Sequence, residues 1–305
     1  MDLTVAMRSF VRVVETGSFS AVAREMTSTQ PAISKQIAWL ERHLGSRLME
    51  RSTRKLALTE EALQYYERAK AILDEIDDAE RLVRRGRCEI TGTLRLACSV
   101  GFGRCQLVPR LKQFLATHPQ LRLDLRMSDA VADLIEEGID IAIRIGDLPD
   151  SGLIARRLGT THRAVVASPA YLKGRKLPRR PQELQDHECI VYSGLATRNE
   201  WRFDGPNGPE SVHVTGRFEV NSSEGVREAV LAGMGVGFSP VWLFGDELRM
   251  KTLKVLLPGY RAASLPIHGV SPPSRRYSAK VKALLDFLDA EFAVDPFVSG
   301  YGAAA

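Results

Sequence analysis

The sequence is poor in the residues that build covalent or metal-bound frameworks. Its 305 residues include four cysteines, Cys88, Cys98, Cys105 and Cys189, and none forms a Cys-x-x-Cys pair. No histidine cluster joins them, which argues against a zinc site or a disulfide framework and leaves reduced thiols in a cytoplasm as the expectation. Long apolar runs are also missing. None approaches the roughly 18 residues of a membrane helix. The opening "MDLTVAMRSF" has no basic segment followed by an apolar one, so no secretory leader and no membrane partner are expected. Catalytic signatures are lacking as well. There is no G-x-S-x-G elbow, and His43, His118, His162, His187, His213 and His268 are scattered without a recognisable triad. The glycine-rich "GMGVG" at 233–237 lacks a following Lys-Ser/Thr and enters a strand, so it reads as a tight turn and not a phosphate loop. No cofactor, metal or enzymatic activity is expected.

What is present is a core and an uneven distribution of charge. Hydrophobic residues make up 44% of the chain and charged residues 26%, enough for packed domains. The net charge is +5. Residues 1–59 carry nine Lys/Arg against five Asp/Glu, residues 60–80 two against eight, and residues 81–87 add four arginines. A basic head, an acidic rod and a basic collar fit a nucleic-acid-binding head on a spacer.

The head reads as three helices. Met7, Phe10, Val11 and Val14 make one apolar stripe over 3–16, ended by Gly17. A second helix spans about 20–26. The third follows a connection of a few residues, so the two must cross steeply. Thr27, Ser28 or Thr29 can cap it, and Pro31 is tolerated in its first turn. Ile33, Ile37, Leu40 and Leu44 share the inner face. The opposite face is polar and small near its start, as a helix in a B-DNA major groove requires. Gln can read adenine, Lys can read guanine or reach phosphate, and Ser can serve either. The candidate DNA contacts are Ser28, Gln30, Pro31, Ser34, Lys35 and Arg42. "RLMERSTRKLALT" then predicts a hairpin whose tip places Arg51, Arg54 and Lys55 against backbone phosphates or the minor groove.

A long helix is expected over about 59–85, capped by Thr59. Ala62, Tyr66, Ala69, Leu73 and Ile76 alternate at four and three residues, a seam expected to face a second copy of the helix. Beyond Gly92 strands and helices alternate, with "TLRLACS", "LRLDLRMS" and "IDIAIRIG" as strands and "DAVADLIEEG" as a helix. A second such set begins near Arg163, and two α/β subdomains with a cleft between them are expected. Ligands of open α/β sheets bind beyond the strand ends. The candidate lining is therefore Ser99, Gly101, Phe102 and Ser128 on one side and Asn221, Ser222 and Ser223 on the other. Free N–H groups and hydroxyls there suit a carboxylate, and Phe102 can cover an apolar body.

The segment "FVRVVETGSFSAVAREMTSTQPAISKQIAWLERHLGSRLMERSTRKLALTEEA" resembles the winged helix-turn-helix of LysR-type transcriptional regulators, with its G-S-F-S turn, Q-P-A-I-S segment and L-G-x-x-L-x-x-R. "EEGIDIAIRIGDLPDSGLIARRL" and "AVLAGMGVGFSP" are similar to that family's effector domain, so the resemblance covers about residues 3–292. Glu61 and Ala62 stand where the family often has Ala-Gly, a change expected to stiffen the rod's start. The resemblance implies an α/β fold with a helix-rich winged helix-turn-helix head and a periplasmic-binding-protein-like effector domain. The expected divisions are a head at 1–58 and a dimerisation helix and hinge at 59–90. The effector domain follows at 91–295, with subdomain I at about 91–163 and 269–295 and subdomain II at about 164–268. A loose tail closes the chain at 296–305. The implied partners are double-stranded DNA bearing an interrupted inverted repeat, a small-molecule effector, and further copies forming dimers and then tetramers. RNA polymerase is the remaining implied partner. An architectural protein indifferent to small molecules and a DNA-tethered enzyme are the competing readings.

Overall fold

The computed structural model describes residues 1–50, 57–83, 90–194 and 197–299. They form two compact units, Met1–Glu89 and Ile90–Ala305.

The first unit opens with α1 (Leu3–Thr16), α2 (Phe19–Glu25) and α3 (Gln30–Leu44). Each start is capped by a side chain that accepts backbone N–H groups: Asp2 from Thr4 and Val5, Ser18 from Ala21, Thr29 from Ala32. Gly17 and Gly45 end α1 and α3 in the left-handed conformation. Phe10, Val22, Ile33 and Leu40 are fully buried where the three helices cross. The buried Ser9 hydroxyl donates to Gln36 Oε1 at 2.5 Å and ties α1 to α3.

A two-stranded hairpin follows, β1 (Met49–Glu50) antiparallel to β2 (Ala57–Leu58). Arg51, Arg54 and Lys55, expected at its tip, lie outside the described residues. The long helix α4 (Glu60–Val83) starts at Thr59, whose hydroxyl accepts the Ala62 N–H at 3.1 Å and donates to the Arg47 carbonyl at 2.9 Å.

The seam expected to face a partner is used at home over its first turns. Ala62, Ala69 and Leu73 are buried in the head's own core, and Tyr66 packs against that core. The α1 surface offered that stripe an apolar partner closer in sequence than any second chain. Around it, Glu15 accepts from Lys70, from Arg12 and from the Tyr66 hydroxyl. Burial alone would raise the Glu15 carboxyl, but the Lys70 and Arg12 hydrogen bonds outweigh it and hold the group below its ordinary range.

The second unit is built on one mixed sheet. Its strands are β3 (Gly92–Cys98), β4 (Leu121–Met127), β5 (Ile141–Ile145), β6 (Ile154–Ala167), β11 (Gly237–Pro240), β12 (Lys254–Leu256) and β13 (Ser264–Ser271). The order is β11-β6-β13-β5-β3-β4, with β12 also paired to β6. β3 is parallel to β4 and β5, whereas β13 and β6 run antiparallel to their neighbours. β6 is the crossing strand. Residues 154–162 pair with β13, and from Arg163 onward it pairs with β11 and then β12 in the second lobe. That lobe adds β7 (Ile190–Tyr192) parallel to β10 (Phe218–Val220) and the hairpin β8 (Glu200–Gly205) with β9 (Gly208–His213).

The helices are α5 (Val100–Phe102), α6 (Val108–Thr117), α7 (Pro169–Leu172), α8 (Ser223–Leu231), α9 (Gly245–Arg249) and α10 (Ala279–Ala293). The helix expected from "DAVADLIEEG" does not form. Asp133 Oδ1 caps the N–H groups of Ile135 and Glu136 and the Glu137 N–H reaches the Asp133 carbonyl, so a single turn starts here, and Gly138 in the left-handed conformation ends it before a helix develops. The expected loose tail is also corrected in part. Val298 is fully buried, its carbonyl accepts the Thr160 N–H at 2.8 Å, and Ser299 bridges Thr160. A Cβ at Gly159 would lie 2.2 Å from that carbonyl, so only glycine admits the tail here. No helix among the described residues is long and apolar enough to cross a membrane.

Candidate functional site

Two regions carry exposed or cavity-lining polar groups in arrangements that packing alone does not require. The first is the outer face of α3. Ile33, Ile37 and Leu40 are buried, while Gln30, Pro31, Ser34, Lys35 and Arg42 are exposed on the other side, and Ser28 is exposed just before the helix. Gln36 is held inward by Ser9, so α3 cannot roll that face toward the core without breaking a buried hydrogen bond. Arg42 Nε donates to the Ala38 carbonyl one turn earlier, which lays its guanidinium along the helix surface. The helix therefore offers an amide, a hydroxyl and two cations to solvent from one face.

The second region is a cavity of about 370 Å³ in the effector unit. It is lined from the end of β3 by Cys98 and just beyond it by Ser99, beyond β4 by Ser128 and Asp129, from β6 by Arg163, and from α8 by Ser223. Tyr192, Phe238, Trp242 and Leu265 are among its apolar and aromatic lining residues. Of the residues expected at the strand ends, Ser99, Ser128 and Ser223 line this cavity.

The other four residues do not line it. Phe102 is fully buried and makes edge contacts with Trp242 at 5.2 Å and Phe292 at 5.9 Å. A helical turn starting at Ser99 rotates the third residue inward, so the ring joins the core and not the cavity. Gly101 is buried because α5 and α8 meet there: a Cβ would sit 2.9 Å from Ser223 Oγ. Asn221 and Ser222 do not line the cavity.

Two of the N–H groups expected to be free are taken. The Asp129 carboxylate accepts from Val100 at 3.0 Å and from Ser223 at 3.2 Å, the first residues of α5 and α8. An internal carboxylate thus sits on two helix starts, where positive partial charge favours an anion. Among the described residues that line the cavity, two buried polar atoms have no protein partner, Ser223 Oγ and Trp242 Nε1. Each such orphan costs about 1–3 kcal/mol unless something satisfies it.

The cavity's cations differ in how they are engaged. Arg126 pairs with Asp124 at 3.3 Å and donates to the Glu137 carbonyl, and Arg144 donates to the Ala132 carbonyl. Arg163 has no carboxylate partner among the described residues; its guanidinium lies 5.9 Å from the Phe238 ring centroid. Burial pushes it below its ordinary value, with Tyr192 opposing that weakly. Register explains the contact: Arg163 pairs with Pro240, which makes Phe238 its diagonal neighbour on the same sheet face. Arg163 escaped the sequence reading because it stood at an expected subdomain boundary, and its neighbours lie some 75 residues later. Cys98 lines the cavity, but burial, with Asp129 adding to it, pushes its thiol up to about 12, so it stays protonated.

Comparison with known families settles what kind of protein holds these two regions. Residues 5–63 match the model of the bacterial regulatory helix-turn-helix protein, lysR family, and residues 88–293 that of the LysR substrate binding domain. The chain belongs to the LysR family. It is a DNA-binding transcription regulator with an effector-binding domain.

Its relatives run its full length. The HTH-type transcriptional repressor PA14_22550 of Pseudomonas aeruginosa is 32% identical over 304 residues, 97% of this chain and 94% of the relative. The HTH-type transcriptional activator AaeR of Escherichia coli is 31% identical over 289 residues, 94% and 93% of the two chains. The solved structure of CrgA, a LysR-type regulator of Neisseria meningitidis, matches with a TM-score of 0.63 at 32% identity, covering 94% of this chain and 97% of that one. In this LysR-type chain the α3 face lies in the helix-turn-helix match and the cavity in the substrate-binding match.

Proposed function

We propose that this regulator reads DNA with the exposed face of α3 and senses a small molecule in the 370 Å³ cavity of its effector unit. The observation that carries the first half is the division of α3 into a buried apolar side and an exposed polar one. Gln30, Ser34 and Lys35 take the base-reading roles, and Ser28, Pro31 and Arg42 flank them. Arg51, Arg54 and Lys55, which lie between β1 and β2 in the sequence, are assigned to backbone phosphates. Two copies on an interrupted inverted repeat would present α3 helices about 34 Å apart or a multiple of that. Leu63 and Ile72 are exposed apolar residues on α4 available to a second copy. Tetramers and contact with RNA polymerase extend the same reading, which places the protein in the cytoplasm.

Gel-shift titration of the full chain at fixed salt tests the DNA half. Lys35→Ala should weaken specific binding, and each lost phosphate contact should lower the log–log salt slope by roughly one unit. Unchanged specific affinity in Gln30→Ala, Ser34→Ala and Lys35→Ala alike would refute the assignment. An architectural protein would bind DNA equally with every small molecule tested, whereas saturating effector at about 100 Kd adds about 2.7 kcal/mol of stability.

A further inference from the structure

We propose that the effector is a small monocarboxylate with an apolar or aromatic body, and that Arg163 holds its carboxylate. This deepens the reading of the cavity as the effector site and rests on it.

The helix starts that would ordinarily receive an anion already hold one, the Asp129 carboxylate. Asp129 already accepts from Val100 and Ser223, so a second carboxylate arriving there meets a like charge. Arg163 is the cavity's remaining anchor. Arg126 is paired with Asp124, Arg144 has no described carboxylate but is tied to the Ala132 carbonyl, and Arg163 has neither kind of partner among the described residues, only the Phe238 ring. A half-buried guanidinium without a counter-ion keeps its N–H donors open to one, and a ligand carboxylate would supply it. Its fork geometry accepts a carboxylate through two parallel N–H bonds. Phe238 lies against the same guanidinium and restricts where it can point.

One charge is what the cavity can take. Asp129, Glu137 and Asp147 line it along with the three arginines, so the lining charges balance formally. A dianion would bring its second group toward one of those carboxylates. The remaining surface sets the body of the ligand. Trp242, Tyr192, Leu265 and Ile145 are apolar or aromatic. The volume lies near the lower end of the roughly 300–1,000 Å³ of ligand sites, which fits one ring or a short acyl chain.

Arg163 also stands at a position from which binding can be felt by both lobes. It is the first residue of β6 beyond the β13 pairing and pairs with Pro240 of β11. A carboxylate drawn to it therefore lies at the changeover between lobes.

The test is a panel on the full-length protein, read by thermal shift and tryptophan fluorescence. Benzoate, phenylacetate and hexanoate are each compared with their amides, and succinate and phthalate serve as dianions. At least one monocarboxylate should bind saturably, with its amide weaker by roughly 10- to 100-fold, the worth of a charge-assisted hydrogen-bond pair. Arg163→Met should lose that discrimination with operator binding intact, and Arg163→Lys should keep part of it. Should Arg163→Met fail to fold, the acid-against-amide comparison on the unaltered protein and the Arg163→Lys variant still decide. Equal binding of acid and amide, tighter binding of a dianion, or undiminished binding by Arg163→Met overturns the inference while leaving an effector-responsive regulator. Silence from the whole panel overturns it too, and operator binding by the same preparation shows whether the regulator reading survives.

Discussion

Asp129 offers the sharpest test of how the effector unit is held together. Its carboxylate follows β4 of the first lobe and accepts from Val100 at the start of α5 and Ser223 at the start of α8. Hydrogen bonds to a charged group contribute about 1.5–3 kcal/mol each, and the half-exposed setting puts these at the lower end. Asp129→Ala removes both and should cost about 3 kcal/mol. Asp129→Asn keeps the shape and one acceptor, loses the negative charge at two helix starts, and should cost about 2 kcal/mol. For a unit of this size each kcal/mol moves the midpoint by about 2–4 °C, so Asp129→Ala should fall by about 6–12 °C and Asp129→Asn by less. Differential scanning calorimetry of the full chain reads both. The exposed neighbour Val131→Ala is the control and should stay within about 0.5 kcal/mol. Midpoints for Asp129→Ala within about 2 °C of the parent would show that the two N–H groups find other acceptors. The same variants separate two routes for an anionic ligand. A carboxylate bound by Arg163 still binds Asp129→Asn, whereas one that displaces Asp129 should bind that variant more tightly.

Other substitutions report on neighbouring claims. The buried ion pair between Arg275 Nε and Asp140, at 2.8 Å, should make Arg275→Ala costly by about 3–5 kcal/mol in urea unfolding, since it strands a buried carboxylate. Phe102→Leu should lower the melting temperature yet leave ligand affinity unchanged, because the ring packs on Trp242 and Phe292 outside the cavity; loss of binding without loss of stability would restore it to the site. Burial holds both His162 and His187 below their ordinary values, so the unfolded chain binds protons first as pH falls. Stability should be full above about pH 6.5 and decline below it, and a His162→Gln, His187→Gln double variant should flatten that decline in urea midpoints.

Local signals in the sequence were enough for the helix starts and ends of the head, although Leu44, expected on the inner face of α3, is exposed. Caps at Ser18, Thr29 and Thr59 and the glycines at 17 and 45 act within one turn, so helix starts and ends follow from neighbours in the chain. The α4 stripe shows where that logic stops. Its spacing defines a buried face but not what buries it, and α1 took the place expected of a second chain. The effector cavity divides the same way. Ser99, Ser128 and Ser223 could be found because strand ends in an α/β sheet converge whatever the side chains. Phe102 could not be placed, since three residues of helix beyond Ser99 turn it from cavity to core. Asp129 and Arg163 were hidden for a more general reason. Each acts through partners supplied by the pairing of distant segments: Ser223 lies 94 residues from Asp129, and Phe238 joins Arg163 only through the β6–β11 register. Periodicity says which way such a residue faces and nothing of the charge it will meet there. The choice of anion, which depends on one carboxylate occupying the helix starts and one arginine left over, therefore became legible only with the sheet assembled.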